Sequence, residues 1–337
     1  MIPEEQLQKH LQEEFSETSP IKEIKQLGSG EHGEAAKITL ENNTTYILKT
    51  WKEQGRNLQF PEDRLRESHR IQRTSKLIPN HVPIHAILDA QARVLKAEKS
   101  YVLMQEVTQQ PYSEVLRKTC KEDTLNEKQK GSVQAIATYL ATTHKQADPK
   151  YYEEYLKDWY ATGILELINE SIPKNKRLWY KKKFLAYENK LSSKSHRCRI
   201  IHGEFFSENI FFKNNEVHTY DMRRIGYGEP ADDVGSMAND FYMTSILEHG
   251  RITPETFQTV KLFLNTYLNQ TKDEELLEII PAFMAYRALI IANPNIVPLE
   301  EKQRQRVRSF LRFLLKQKKL TERNVRYWNK KQQLLMP

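Results

Sequence analysis

The stretch Ile200 to Phe241 reads IIHGEFFSENIFFKNNEVHTYDMRRIGYGEPADDVGSMANDF. Its short apolar runs at residues 210–212 and 217–220 predict two strands, and Lys213-Asn214-Asn215 between them predicts a hairpin turn. Antiparallel pairing of these strands would bring the residues just outside them, Asn209 and Asp221, together at one end of the hairpin. We therefore expect the chemistry of the chain to be concentrated in this stretch.

Three oxygen-bearing side chains can converge there: Glu204, Asn209 and Asp221. An amide oxygen and a carboxylate suit a hard cation such as Mg²⁺, which prefers oxygen ligands. A second carboxylate close by suits a base that removes the proton of a substrate hydroxyl. The alternative from the residues alone is two strands and a helix with incidental acidic side chains.

The spacing HGExxxxN from His202 to Asn209, then the hairpin, Asp221, and GEPxxD ending at Asp233, resembles the catalytic segment of the aminoglycoside phosphotransferase and choline kinase-like family. The resemblance implies an α+β, protein-kinase-like bilobal fold. Such a fold has a small five-stranded antiparallel N-lobe sheet and a larger, mainly helical C-lobe. The family usually has Asp at the position of Glu204, and often an aromatic residue and an acid in place of Met222-Arg223.

The composition agrees with a two-lobed globular enzyme. The chain has 337 residues, of which 39% are hydrophobic, enough for about two domains. Its two cysteines, Cys120 and Cys198, are far apart and form neither a disulfide framework nor a metal-binding spacing. This favours a reducing compartment. Without an apolar signal-peptide core or a long apolar run, we expect a cytoplasmic protein and no membrane partner.

The basic character is confined to one segment. The net charge is +8, but residues 302–331 carry 12 Lys or Arg and only Glu322 as an acid. That segment therefore contributes +11 and leaves −3 for the rest of the chain. We predict a basic helical tail at 302–331, most simply an amphipathic helix with a solvated face. Binding of nucleic acid or an acidic partner by this tail is the open alternative.

A glycine-rich segment near the N-terminus predicts a nucleotide-binding loop. Gly28, Gly30 and Gly33 stand between predicted strands at 21–27 and 35–40, where backbone amides could approach phosphates. An ordinary flexible hairpin is the alternative. Lys49 lies in the next predicted strand, 45–51, sixteen residues after Gly33. Taken alone, Lys49 fits the solvent-exposed face of a strand. Because it follows a glycine-rich loop, however, it resembles the phosphate-binding lysine of the family.

The lobe boundary is predicted near residue 108. A helix at 61–77 carries Glu67, which matches the family position of the carboxylate that pairs with the lysine. A strand at 100–107 would lead into a hinge at Gln105 to Val107 that contacts adenine. Residues 1–107, opened by a short helix within 1–18, are thus the predicted nucleotide-binding N-lobe. Residues 108–337 are the predicted catalytic and acceptor-binding C-lobe, with a variable helical insertion at 151–194.

The resemblance assigns roles within a phosphoryl-transfer reaction. Glu204 would orient and deprotonate the acceptor hydroxyl. Asn209 and Asp221 would hold Mg²⁺, and Lys49 would contact the phosphates of ATP or GTP. We expect Asp233 to brace the loop at His202, and Asp232 to be exposed. The nucleotide contacts predicted in the N-lobe are Gly28, Gly30, Gly33, Lys49, Glu67, Gln105 and Val107.

The sequence therefore predicts a kinase that phosphorylates a hydroxyl of a small acceptor. Two other classes stay open: a catalytically silent pseudokinase that acts as a binding module, and a nucleic-acid-associated protein that uses the basic tail. The identity of the acceptor, the choice between ATP and GTP and the oligomeric state are not readable from the residues.

Overall fold

The structure is a computed structural model that describes residues 3–15, 17–29, 33–51, 74, 77–80, 84–88, 101–122, 125–221 and 224–335. The chain divides into two compact units. The N-terminal unit comprises Met1–Lys76 and Asn80–Thr108. The C-terminal unit comprises Leu77–Pro79 and Gln109–Pro337.

The N-terminal unit contains one helix and an antiparallel sheet. Its elements are α1 Glu4–Phe15, β1 Ile21–Ser29, β2 Gly33–Leu40, β3 Thr45–Trp51, β4 Ile84–Leu88 and β5 Tyr101–Gln105. Among the described residues, five strands pair in the order β1-β2-β3-β5-β4, and each pair is antiparallel. The sheet predicted from the sequence is present with its bounds moved by one or two residues.

The core of this unit lies between α1 and one face of the sheet. Leu7 and Leu11, four residues apart on one face of α1, are both 0% exposed. They belong to the same apolar cluster as Ile38, Leu48 and Leu103 from the strands. The amphipathic N-terminal helix is therefore part of this unit's own core.

The C-terminal unit is mainly helical. Its helices are α2 Tyr112–Glu122, α3 Glu127–Thr143, α4 Tyr152–Lys157, a π-helical turn Asp158–Ile164, α5 Leu165–Ser171, α6 Arg177–Leu191, α7 Pro230–His249, α8 Pro254–Thr271, α9 Leu276–Ile291, α10 Glu301–Leu314 and α11 Glu322–Leu335. Its short strands are β6 Arg199–Ile201, β7 Ile210–Lys213, β8 Glu216–Thr219 and β9 Gly226–Gly228. Within the described part of the chain, no helix is long and apolar enough to cross a membrane.

Helix α7 is the central element of this unit. It is buried along nearly its whole length, from Pro230 to Ile246. A side chain at Gly235 would bring a Cβ within 2.9 Å of Phe283 Cβ on α9, so the glycine permits close packing of the two helices. Glu229 caps the start of α7 by accepting from the backbone N–H of Ala231. A helix fixed so firmly is a rigid support for the loops around it.

The hairpin predicted at 210–220 is present as β7 and β8. Ile210 pairs with Thr219 and Lys213 with Glu216. Asn214 and Asn215 have φ angles of 53° and 63°, the left-handed backbone that a tight two-residue hairpin turn requires and that asparagine tolerates. The turn is thus specified by the two asparagines.

The basic tail forms two helices, α10 and α11, that dock on the C-terminal unit through buried Val307, Phe310, Leu311 and Val325. The predicted helix therefore ends at Leu314 and a second one follows. Several of its basic side chains serve the fold. Arg304 donates to the carbonyl oxygens of Ala292, Val297 and Leu299, and Arg308 donates to that of Ser171.

Candidate active site

The segment His202–Asn209, called the 202–209 loop below, leaves strand β6 and enters strand β7. Gly203 has φ +77°, and a Cβ there would lie 2.4 Å from the backbone oxygen of Arg224. This backbone conformation and this close approach both require glycine. Phe205 is fully buried and stacks on Tyr139, with ring centroids 5.7 Å apart. Glu204, between these two fixed residues, is half-buried.

Asp233 braces the start of the loop from the first turn of α7, as expected from the sequence. Its two carboxylate oxygens accept the backbone N–H groups of His202, at 2.7 Å, and Gly203, at 2.8 Å. His144, at the end of α3, lies with Nε2 3.1 Å from Asp233 and Nδ1 2.8 Å from the Tyr267 hydroxyl. His144 is therefore a structural support of this carboxylate.

Asn209 and Asp221 lie at the same end of the β7–β8 hairpin. The backbone N–H of Tyr220 donates to the carbonyl oxygen of Asn209 at 3.1 Å, and Asp221 follows directly. Asp221 has φ +64°, a left-handed conformation that costs roughly 1–2 kcal/mol for most residues and less for aspartate. Backbone strain of this kind concentrates at functional sites.

The side chain of Asn209 also ties the two ends of the loop together. Its Nδ2 atom donates to the carbonyl oxygen of Glu204 at 2.9 Å, so its amide oxygen is the atom that it can offer to a cation. Burial lowers the pKa of His202, while the carboxylates of Asp233, Asp221 and Glu204 oppose that shift. Glu204 and Asp221 therefore both lie close enough to the buried imidazole to act on it.

Arg224, which the sequence did not single out, lies within electrostatic range of Glu204. Arg224 Nη1 donates to the Tyr286 hydroxyl at 3.1 Å, and its Nη2 lies 3.5 Å from Asp232 Oδ2. Although burial alone would lower the pKa of Arg224, the surrounding Tyr286, Asp232, Tyr155 and Glu204 raise it. The guanidinium is thus held charged within electrostatic range of the predicted base.

Asp232 is not exposed, so the sequence-based expectation was wrong. It is 1% exposed and accepts a hydrogen bond from the Tyr155 hydroxyl at 2.9 Å. Burial, together with the charge of Asp233, raises the pKa of Asp232 to about 6 against the lowering effect of Arg224. The sequence shows that Asp232 directly precedes Asp233, the residue that braces the loop, at the start of a helix. Only the packing of α4 shows that Tyr155 covers Asp232.

A second missed group is Arg197, which is 6% exposed. It donates to Glu229 through Nε and Nη2 at 3.0 and 2.7 Å, and to Asp273 at 2.8 Å. The Tyr152 hydroxyl donates to the same glutamate at 2.7 Å. Glu229, the Glu of GEPxxD, is therefore a structural ion-pair partner of Arg197, and Asp273 is a second one.

The predicted nucleotide residues of the N-terminal unit lie on its first three strands. Gly28 is near the end of β1 and Gly33 begins β2. Lys49 is half-buried in β3, paired with Ala35 of β2 and Val102 of β5. Gly30 and Glu67 lie outside the described residues. Gly28, Gly33 and Lys49 thus lie on adjacent strands of one sheet.

The predicted hinge follows strand β5. Gln105 is its last residue and pairs with Tyr46, and Val107 is half-buried two residues later. Between them Glu106 accepts from Lys37 Nζ at 2.8 Å. Burial alone would raise the pKa of Glu106, but the hydrogen bonds from Lys37 and Thr45 lower it.

The donor atoms at the hairpin suit a hard cation. One amide oxygen, from Asn209, and one carboxylate, from Asp221, are the oxygen ligands that Mg²⁺ accepts together with water and substrate phosphates. Among the described residues, no three or more His, Cys, Asp or Glu side chains form a group that could hold a metal. The chain's own donors thus fit a cation shared with a phosphorylated substrate better than an all-protein metal cage.

Comparison with known proteins identifies the fold and the family. The family model APH, the phosphotransferase enzyme family, matches residues 23–249. Amicoumacin kinase hAmiN, solved in complex with AMP-PNP, Ca²⁺ and Ami, is 17% identical, covers 89% of this chain and 90% of its own, and has a TM-score of 0.58. Choline kinase from Cryptosporidium parvum Iowa II is 13% identical over 86% and 88%, with a TM-score of 0.54.

A third structure is a thermostable mutant of aminoglycoside phosphotransferase APH(4)-Ia in the apo form. It is 12% identical over 90% of this chain and 98% of its own, with a TM-score of 0.53. A sequence search of curated proteins finds no significant match. The α+β, protein-kinase-like fold predicted from the sequence is confirmed by these structures. Because the family model matches residues 23–249, well over half of the 337 residues, the protein belongs to the phosphotransferase enzyme family.

Proposed function

We propose that this protein is a kinase that transfers the γ-phosphoryl group of ATP or GTP to a hydroxyl of a small acceptor. The observation that carries the proposal is the fixed 202–209 loop and hairpin, which hold Glu204, Asn209 and Asp221 together. Membership of the phosphotransferase enzyme family supports the reaction class. The related structures solved with AMP-PNP and Ca²⁺, or with ADP and hygromycin B, support a nucleotide and a divalent cation.

Glu204 is the proposed base. Its carboxylate would accept a hydrogen bond from the acceptor hydroxyl, orient the attacking oxygen and take its proton as that oxygen bonds to phosphorus. The bond between the γ-phosphorus and the β,γ-bridging oxygen would break in the same step and release ADP or GDP. The brace from Asp233 and the hydrogen bond from Asn209 to the Glu204 carbonyl fix the backbone on which this carboxylate stands.

The proposed cation ligands are Asn209 and Asp221, and Mg²⁺ is the cation that we expect. When bound, it would neutralise negative charge on the triphosphate oxygens. Within the N-terminal unit, Gly28, Gly30 and Gly33 would let backbone amides approach the phosphates, and Lys49 would contact them, steadied by Glu67. Gln105 and Val107 would contact the base through their backbone groups.

A turnover screen tests this proposal. Purified protein is mixed with Mg·ATP or Mg·GTP and with amino-alcohols, sugars and antibiotics, and acceptor-dependent ADP or GDP release is measured. Asp221→Ala should abolish turnover and Mg²⁺-dependent nucleotide binding, because it removes the carboxylate ligand. Asp158→Asn, which changes an exposed aspartate in the π-helical turn, should keep both. Binding of Mg·ATP that is unchanged in Asp221→Ala would contradict the assignment.

A further inference from the structure

The far half of the 202–209 loop is held by a second aspartate of α7, Asp240. Its Oδ2 atom accepts the backbone N–H of Ser207 at 2.9 Å and the hydroxyl of Ser207 at 2.8 Å. Ser207 is 5% exposed and Asp240 is 8% exposed. Both hydrogen bonds therefore lie out of solvent, where bonds to an ionised acceptor are strong.

Asp240 stands seven residues after Asp233 on the same helix. Seven residues span two helical turns, or about 10 Å, and return to nearly the same face. Asp233 accepts the amides of His202 and Gly203, just before Glu204, and Asp240 accepts that of Ser207, just after it. Glu204 thus lies between two points at which α7 fixes the loop backbone.

Helix α9 supports the second point with an arginine. Arg287 Nε lies 3.5 Å from Asp240 Oδ1, the oxygen that does not bind Ser207. The guanidinium carbon of Arg287 lies 3.7 Å from the centre of the Phe206 ring, a cation–π distance. Arg287 therefore contacts the loop directly through Phe206 and indirectly through Asp240.

We propose that Asp240 and Arg287 are positioning residues that keep Glu204 and Asn209 in the geometry needed for phosphoryl transfer. They act through their contacts with Ser207 and Phe206. The catalytic part of this inference rests on the proposed kinase function, whereas the mechanical part concerns the loop alone. A misplacement of about 1 Å at a reacting group can cost on the order of 10²-fold in rate, so loss of the second attachment should slow the reaction.

Three substitutions test the inference. Asp240→Asn keeps the size of the side chain but replaces one carboxylate oxygen with an NH2 group. The asparagine therefore cannot both accept the hydrogen bonds of Ser207 and present an oxygen to Arg287. Ser207→Ala removes only the hydroxyl bond and is the milder variant. Arg287→Gln removes the cation, and Arg287→Lys restores it. The control is Asp273→Asn, which disrupts another Asp–Arg pair of similar burial outside the loop.

Hydrogen exchange of peptides that cover residues 202–209 measures how firmly α7 holds the loop backbone, and it does not depend on enzymatic activity. Asp240→Asn should speed exchange of the Ser207 amide at least about tenfold, and Ser207→Ala about threefold, at unchanged global stability. In turnover assays kcat should fall at least about tenfold in Asp240→Asn, while the nucleotide Kd stays within about twofold. Arg287→Lys should recover most of the kcat lost in Arg287→Gln.

Exchange and kcat at parent values in Asp240→Asn and Ser207→Ala would overturn the proposal. Equal losses in Asp273→Asn would also overturn it, because the effect would then be general destabilisation. If Asp240→Asn does not fold, Ser207→Ala and the Arg287 pair decide the question. A parent protein without turnover on any acceptor would instead refute the kinase function and the catalytic part of the inference. The exchange rates would then still decide whether Asp240 holds the loop.

Discussion

Asp232→Asn should change the pH dependence of stability. Asp232 is buried against Tyr155 and Arg224, and burial raises its pKa in the folded protein from the ordinary 3.8 to about 6. Since the folded state binds this proton more tightly than the unfolded state, Asp232 favours folding most at low pH. That contribution is lost as the pH rises through about 4 to 6. A difference of about two pKa units corresponds to about 3 kcal/mol.

The assay is urea unfolding of the parent and of Asp232→Asn, followed by tryptophan fluorescence at several pH values between 4 and 7.5. Asparagine can still accept the Tyr155 hydrogen bond but cannot ionise. The free energy of unfolding of the variant should therefore rise relative to the parent by about 3 kcal/mol between pH 4 and pH 7. The absolute difference at one pH also contains the loss of the Arg224 partner, so the slope is the quantity that decides.

Glu216→Gln, at an exposed glutamate of β8, is the control and should follow the parent at every pH. A difference between Asp232→Asn and the parent that does not vary with pH would show that Asp232 ionises normally. A variation with the opposite sign would mean that Arg224 dominates and lowers the pKa. Either result would refute the account of this buried cluster.

Two further substitutions test the packing. Leu11→Ala should lower the free energy of unfolding by about 3 kcal/mol in urea titrations, because it leaves a cavity between α1 and the sheet. Leu27→Ala, at an exposed position of β1, should change it little. Equal effects of the two substitutions would contradict the assignment of Leu11 to the core. Gly203→Ala should cost at least about 2 kcal/mol in thermal unfolding because its Cβ meets Arg224. Gly131→Ala in α3, with open space around it, should be stabilising by about 0.5–1 kcal/mol, and the same sign for both glycines would contradict this reading.

Local sequence signals predicted the parts of the site that depend on neighbours in the chain. The two asparagines at 214 and 215 specify the hairpin turn, and the hairpin places Asn209 and Asp221 at one end. The GEPxxD spacing predicted that Asp233 would reach back to the loop, and it does. The hairpin follows from turn chemistry, which acts over a few residues. The contact of Asp233 with residues 30 and 31 positions earlier was instead implied by the family resemblance.

The sequence could not predict which distant side chains cover a given acid. Asp232 was expected to be exposed, yet Tyr155 from an element 77 residues away buries it. The spacing of Asp233 and Asp240 by two helical turns was visible as a signal for a shared face. What Asp240 holds became clear only with Ser207 and Arg287 placed beside it.

The basic tail shows the same limit in another form. Its charge of +11 over residues 302–331 suggested a separate binding segment as an alternative. In the structure Arg304 and Arg308 donate to backbone carbonyl oxygens of the C-terminal unit, and Arg312 lies over Trp179. The net charge of a segment therefore does not show which of its basic side chains pack against the rest of the protein.

The central claim is that Glu204 is the base of a phosphoryl transfer. The most direct measurement compares turnover and Mg·ATP affinity of the parent with those of Glu204→Gln. The control is Glu208→Gln, an exposed glutamate of the same loop. We predict that Glu204→Gln lowers kcat by at least about 10²-fold with nucleotide affinity nearly unchanged, and that Glu208→Gln retains parental turnover. Parental turnover in Glu204→Gln would contradict the account.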